Sequence, residues 1–242
     1  MSAALQRSAY AVAASPCGAA VVTVAGEEAH LRPSGALWLA AESTLVVADL
    51  HFEKGSAYAA RGQLLPPYDT GETLRRLEAE IEALSPRRLV FLGDSFHDGA
   101  ALGRISGRDV ERLCAIARTR TLVWIVGNHD ADGPGGLPGE VAEELRIGAL
   151  ILRHEPQPGL QPGETAGHLH PCARITALGR SVRRRCFITD GERLILPAFG
   201  SYAGGLNVRD AAFAGMFARA PLAVALGPQR AQAVNWRSLL GD

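Results

Sequence analysis

The chain has 242 residues, 47% of them hydrophobic and 21% charged. That balance excludes a disordered chain and is long enough to bury one large core. Lys and Arg together number 25, as do Asp and Glu, which excludes a global basic field aimed at a polyanion, although a local patch stays open. No apolar run approaches the ~18–20 residues of a membrane span. Four scattered cysteines without a C-x-x-C pair argue against a thiolate zinc site and fit a reduced, cytoplasmic protein.

The start, "MSAALQRSAYAVAASPCGAA", reads as a loose Ala-rich leader over residues 1–20, since it lacks the Leu/Val-rich centre of a signal peptide. Strands follow at 20–25, 28–32, 36–40 and 44–49, with Gly26 and Pro33-Ser34-Gly35 as turns. A helix opens after Pro66-Pro67 and ends at Pro86. Asp69 and Glu72 have the spacing of a capping box, and Leu74, Leu77, Ile81 and Leu84 share one face. The alternation continues with a strand at 88–94 and a helix at 106–119 turning Val110, Leu113, Cys114 and Ala117 inward. A strand at 121–127, a short helix around 139–146 and a strand at 148–154 come next. β signals return at 173–177, 185–190, 193–198 and 221–227, while 131–139 and 155–167 read as Pro/Gly-rich surface loops. Strands alternating with helices indicate an α/β core. With no linker and no repeat, residues 1–242 are expected to form a single domain.

Six of the seven histidines, His51, His97, His129, His154, His168 and His170, lie just past a predicted strand or in a Gly/Pro-flanked loop. His30 sits inside a strand pattern and is assigned a half-buried structural place. Functional groups of open α/β sheets gather beyond the carboxyl ends of strands. Asp49, Asp94, Asn128 and His154 each occupy such an end, with Gly93 and Gly127 letting the backbone turn toward a ligand. Carboxylate, amide oxygen and imidazole together suit Mn, Fe, Zn or Ni better than calcium. Asp49, His51, Asp94, Asn128, His154, His168 and His170 are too many ligands for one ion. Two ions sharing a carboxylate, ~3.5–4 Å apart, fit the set and are the usual device for hydrolysing phosphate esters. His129, beside Asn128 but not needed as a ligand, is the natural proton donor.

Taken singly each motif is an ordinary strand end or turn. In order, "DLH" (49–51), "GD" (93–94), "GNHD" (127–130), the strand-end His154 and "GHLH" (167–170) resemble the calcineurin-like metallophosphoesterases. The resemblance implies a four-layer α/β/β/α sandwich of two mixed β-sheets flanked by helices. It puts Asp49, His51 and His170 on one metal and Asn128, His154 and His168 on the other, with Asp94 bridging. His129 would be the acid and Asp130 would orient it; Asn128 would also meet substrate.

Protein phosphatases of that superfamily carry "GDxxDRG". The stretch "GDSFHDG" (93–99) departs from it, with His97 and Asp98 in place of Asp and Arg. "ADLHFEKG", "LLPPYDTGETL", "GDSFHD", "RHEP", "RCFI" and "LPAFGSYAGGLNV" are instead similar to the bacterial ligase-associated DNA damage response endonucleases. That resemblance implies a Mn-dependent enzyme (Fe, Zn, Ni or Mg being the other candidates) that cuts single-stranded DNA in repair. A DNA ligase and a helicase would be its functional partners. His97, three residues past Asp94, is expected to face the scissile phosphate. Arg183, Arg184 and Arg185, with Arg174 and Arg180 nearby, either track a phosphate backbone or blunt a solvated strand edge. Phe199 and Tyr202 either stack on bases or pack locally. Lys54, the chain's only lysine, is expected to pair with a neighbouring carboxylate rather than meet a phosphate. A small-molecule or nucleotide phosphoesterase, and a non-catalytic scaffold, are the competing functional classes.

Overall fold

The computed structural model describes residues 10–63, 65–177 and 180–242. Three central strands, β5 (Thr44–Ala48), β6 (Arg88–Leu92) and β7 (Thr121–Ile125), are apolar and pair in parallel. Parallel strands of this kind need cover on both faces. Alternation divides their side chains accordingly: Leu45, Val47, Leu89, Phe91, Leu122 and Trp124 face one way, and Val46, Ala48, Val90, Leu92, Val123 and Ile125 the other.

The first set packs under helices α2 (Asp69–Leu84) and α4 (Gly107–Ala117), which contribute Leu74, Leu77, Ile81, Leu113 and Ile116. Each such buried side chain stabilises the layer by about 1.5–3 kcal/mol. The second set meets another sheet. Strands β1 (Ala13–Ala14), β2 (Ala20–Val24), β3 (Glu27–Leu31) and β4 (Leu37–Leu39) extend the first sheet antiparallel from β5, and β8 (Glu140–Ala142) closes its far edge beside β7.

The second sheet, in part, comprises β9 (Glu144–Ile147), β10 (Leu150–Arg153), β11 (Glu164–Ala166), β13 (Arg180–Thr189), β14 (Leu194–Ile195), β15 (Leu222–Leu226) and β16 (Ala231–Val234). Within it β10, β11 and β14 run parallel and the other neighbours antiparallel. The result is the two-sheet α/β sandwich expected, with both sheets mixed. Its fourth layer is thin. The outer face of the second sheet is covered by Val208, by Phe213 in a one-turn 3-10 segment and by Leu239, with no α-helix there among the described residues.

Several local expectations are corrected. Residues 139–146 form β8 and β9, not a helix, because the segment is recruited as an edge strand by each sheet in turn and crosses between them at Glu143. Part of the expected 155–167 loop is β11, buried between β10 and β14. Asp69 is the first helical residue rather than a cap, and its carboxylate accepts from the Gly55 amide at 3.0 Å. Glu72 turns to Arg75 at 2.7 Å. On α4, Ile116 is buried in addition to Leu113, and Ala117 packs against the same core as expected. The first nine residues of the expected leader, and Leu64 of the "LLPPYDTGETL" stretch, lie outside the described residues. From Tyr10 the chain is docked: the Tyr10 hydroxyl donates to Ala220 O at 2.6 Å, and Val12 packs on the core. His30 lies half-buried in β3 beside Glu28, as expected.

Candidate metal centre

Five strand ends converge. β5 runs into Asp49, β6 into Gly93-Asp94, β7 into the 127–130 turn, β10 into His154 and β11 into the 167–170 turn. Backbone bonds lock the first two ends together: the amides of Asp49, His51 and Phe52 donate to Gly93 O, Asp94 O and Ser95 O at 3.2, 2.9 and 2.8 Å. The two sheets meet where the His168 amide donates to both Asp49 carboxylate oxygens, at 3.1 and 3.0 Å.

Two clusters result. In the first, Asp49 Oδ1 lies 3.2 Å from His170 Nε2, which lies 3.3 Å from His51 Nε2. In the second, Asp94 Oδ1 lies 3.4 Å from His154 Nε2, which lies 3.2 Å from His168 Nδ1. Each trio offers ligand atoms all within 4.8 Å of one another. Asp49 Oδ1 is 3.7 Å from His154 Nδ1, so the clusters adjoin. Asn128 lines a cavity of about 450 Å³ that also contains His154 and Gly127.

The backbone is bent to make this possible. Asp49, His51, Asp94, His168 and His170 all have positive φ, between 44° and 67°. Non-glycine residues enter this region at a cost of about 1–3 kcal/mol each, and such residues gather at functional sites. Gly93 is required at its place: a Cβ there would run into the His154 ring.

Electrostatics suit cation binding. Burial drives the His51 imidazole down to about 3, leaving it neutral, and lowers His168 as well. Burial alone would raise Asp94, but its hydrogen bond to His154, that ring's charge and the His129 amide hold it well below the carboxylate range. Burial works against charge on His154 too, but its bond to Asp94 and the nearby Asp49 raise that imidazole, so a divalent metal bound there would displace a proton from it. Imidazole nitrogens facing each other at 3.2–3.3 Å fit shared coordination.

The remaining expected residues are placed as follows. His129 is nearly half exposed at its side chain, with Nε2 3.9 Å from Asp94 Oδ2. His97 stacks on it at 5.7 Å between ring centres and stands 5.8 Å from His51. Burial, Lys54 and His129 lower the His97 imidazole.

Asp130 does not touch the His129 ring. Its oxygens are taken by the amides of Gly127 at 2.9 Å, Ser95 at 2.7 Å and Phe96 at 3.3 Å. It therefore ties the β6 and β7 loops together, a correction to the orienting role expected. Phe199 is fully buried and cannot stack on a base; Tyr202 donates to Pro66 O at 3.0 Å.

Lys54 also departs from expectation: among the described residues no carboxylate lies within 4 Å of it. Its ammonium stands 6.0 Å from the Tyr58 ring centre, and that ring is 5.9 Å from His97. Carboxylate pairing falls to Glu53 instead, which accepts from Thr70 Oγ1 at 2.8 Å and Ser56 Oγ at 2.6 Å. That bond pins helix α1 (Lys54–Ala60) to α2. Tyr58 carries no signal in the sequence, since nothing before the fold places it beside His97.

The family model for calcineurin-like phosphoesterases matches residues 43–185. The chain belongs to the calcineurin-like phosphoesterase family. Members hydrolyse phosphoester bonds with divalent metals, and the two clusters are this chain's candidate metal-binding sites. The crystal structure of the Pseudomonas putida nuclease MPE is similar, at 26% identity and a TM-score of 0.67, covering 89% of this chain and 100% of that one. The Escherichia coli phosphoesterase Yfce is more distant, at 16% identity and a TM-score of 0.39 over 79% of this chain and 98% of that one. No curated protein sequence matches the chain. Among the described residues no helix is long and apolar enough to cross a membrane.

Proposed function

We propose that this phosphoesterase is a two-metal phosphodiesterase that cuts single-stranded DNA internally, with Mn as its working ion, in cytoplasmic DNA repair alongside a ligase and a helicase. The observation that carries the reading is the pair of adjoining clusters, on a chain whose full-length structural relative is a nuclease. Asp49, His51 and His170 would hold one ion, and Asn128, His154 and His168 the other, with Asp94 shared. Such a pair supplies an activated water and neutralises charge on the phosphoryl oxygens.

The chain's own residues do the rest. His129, exposed beside Asp94, gives a proton to the departing oxygen. His97, stacked on the His129 ring, and Lys54, a cation free of carboxylate partners, form a wall beside it that meets a phosphate. Asp130 keeps the His129 turn in register by holding three amides.

The test is incubation of the protein with labelled single-stranded circular DNA and with bis-p-nitrophenyl phosphate, with and without Mn. Conversion of circles to linear strands is the expected result. Hydrolysis of the dye with circles left intact would assign the site to small-molecule esters. Inertness toward both with every candidate metal would leave only a binding role.

A further inference from the structure

A groove of about 930 Å³ opens between α2, the 32–34 turn, β13 and the 227–229 turn. Six of its lining residues are arginines and two are glutamates. The glutamates are already engaged. Glu80 takes Arg32 at 2.8 Å with both side chains nearly buried, and Glu72 takes Arg75 through two bonds of 2.7 Å. Arg183 reaches Asp242 at 3.5 Å. That leaves Arg76, Arg184 and Arg185, which have no carboxylate within 4 Å among the described residues.

Arg76 and Arg185 donate to neutral carbonyls, sharing the 198–200 stretch, and Arg76 also lies 4.7 Å over the Phe199 ring. Arg76 donates to Phe199 O at 2.8 Å and to Ser34 O at 2.7 Å. Arg185 donates to Ala198 O at 2.9 Å and to Gly200 O at 3.1 Å. Burial and the neighbouring charge of Arg185 lower Arg76 to about 10. Glu72 and Glu80 offset part of that effect on Arg76, and an anion in the groove would relieve the rest. Each guanidinium carries five N–H donors. Arg76 donates through both terminal nitrogens and Arg185 through one, which leaves N–H groups over on each, and both residues line the groove.

The stretch they clasp also borders the metal centre. On its other side the Phe199 amide donates to Ala48 O at 2.8 Å and the Gly200 amide to Asp49 O at 3.2 Å. The 198–200 stretch thus ties the groove's arginines to the backbone of Asp49.

We propose that this groove is a second phosphate-binding site, taking the phosphodiester backbone of the single strand that flanks the phosphate held at the metal centre. The proposal rests on the nucleic-acid reading given above. Arg76 and Arg185 supply positive charge and the N–H groups their carbonyl bonds leave over, both suited to phosphate oxygens.

The test compares the Mn-loaded wild type with Gln229→Glu, which adds a carboxylate at the exposed groove rim, and Arg76→Gln, which removes a guanidinium. Substrates are a 30-residue oligothymidylate and bis-p-nitrophenyl phosphate; thermal melting verifies the fold. Gln229→Glu is expected to raise KM for the oligonucleotide several-fold and leave dye hydrolysis unchanged. Arg76→Gln should lower the slope of log affinity against log salt by about 0.7 for each phosphate the variant no longer neutralises. Unchanged KM and slope in both variants would overturn the proposal. So would equal losses on both substrates, which would make the arginines mere clasps of the 198–200 stretch.

Anisotropy of the labelled oligonucleotide with protein as purified reads the groove independently of cleavage. If the wild type binds but cuts no DNA, the functional reading fails while the groove stands or falls on the salt slope. Competition by inorganic tripolyphosphate without any oligonucleotide binding would replace the strand by a free polyphosphate and overturn the proposal.

Discussion

Asp49, His51, Asp94, His168 and His170 are held in left-handed backbone, a conformation in which Asp and His are tolerated better than most residues. Their residue types and order were legible in the sequence because a metal demands particular donor atoms. The backbone strain was not, since φ is imposed by the loops closing on one another. Lys54 shows the same limit. Its neighbours in sequence suggest a local ion pair, yet Glu53 is turned away by its own positive φ of 65° toward Thr70 and Ser56. Lys54→Ala should fold normally and lose about tenfold in kcat/KM on DNA, equivalent to about 1.4 kcal/mol. Lys54→Arg should recover part of it; unchanged kinetics in Lys54→Ala would remove the residue from the phosphate wall. Asp130→Asn places an NH2 against amides that need an acceptor. We expect about 1–3 kcal/mol of lost stability in urea unfolding, together with weaker Mn affinity.

The elements that were easiest to recognise, β5, β6, β7 and α2, are those whose apolar pattern is set by burial on known faces. Those misread, β8, β9 and β11, take their conformation from a neighbour's unpaired edge, and the Glu-rich 140–146 segment has helical propensity that pairing overrides. β11 carries a further consequence. Its Glu164 is buried and meets Arg193 at 2.8 Å, with both side chains almost inaccessible. Arg193 also donates to Met216 O and Gln157 O at 2.9 and 2.8 Å. Arg193→Met leaves the carboxylate only Arg153 at 3.6 Å and the Gln157 amide, and should cost about 3–5 kcal/mol in chemical unfolding. A double substitution, Arg193→Met with Glu164→Leu, should recover much of that loss, because no buried charge is then left unpaired.

At the scale of the whole molecule, each candidate ion site draws ligands from both sheets. Asp49 and His51 follow β5 while His170 follows β11; Asp94 follows β6 while His154 and His168 follow β10 and β11. Metal binding should therefore clamp the sandwich. Free Mn at one hundred times its Kd adds about 2.7 kcal/mol per site to stability, read as a rise in melting temperature that chelation reverses. His154→Ala should lose part of that rise and nearly all activity. The most direct test of the account is the anomalous scattering of Mn-soaked crystals. Two peaks are predicted, ~3.5–4 Å apart, one within bonding distance of Asp49, His51 and His170 and the other of Asn128, His154 and His168, with Asp94 between them. A single peak, or a second one away from these residues, would contradict the two-metal centre on which the proposed cleavage depends.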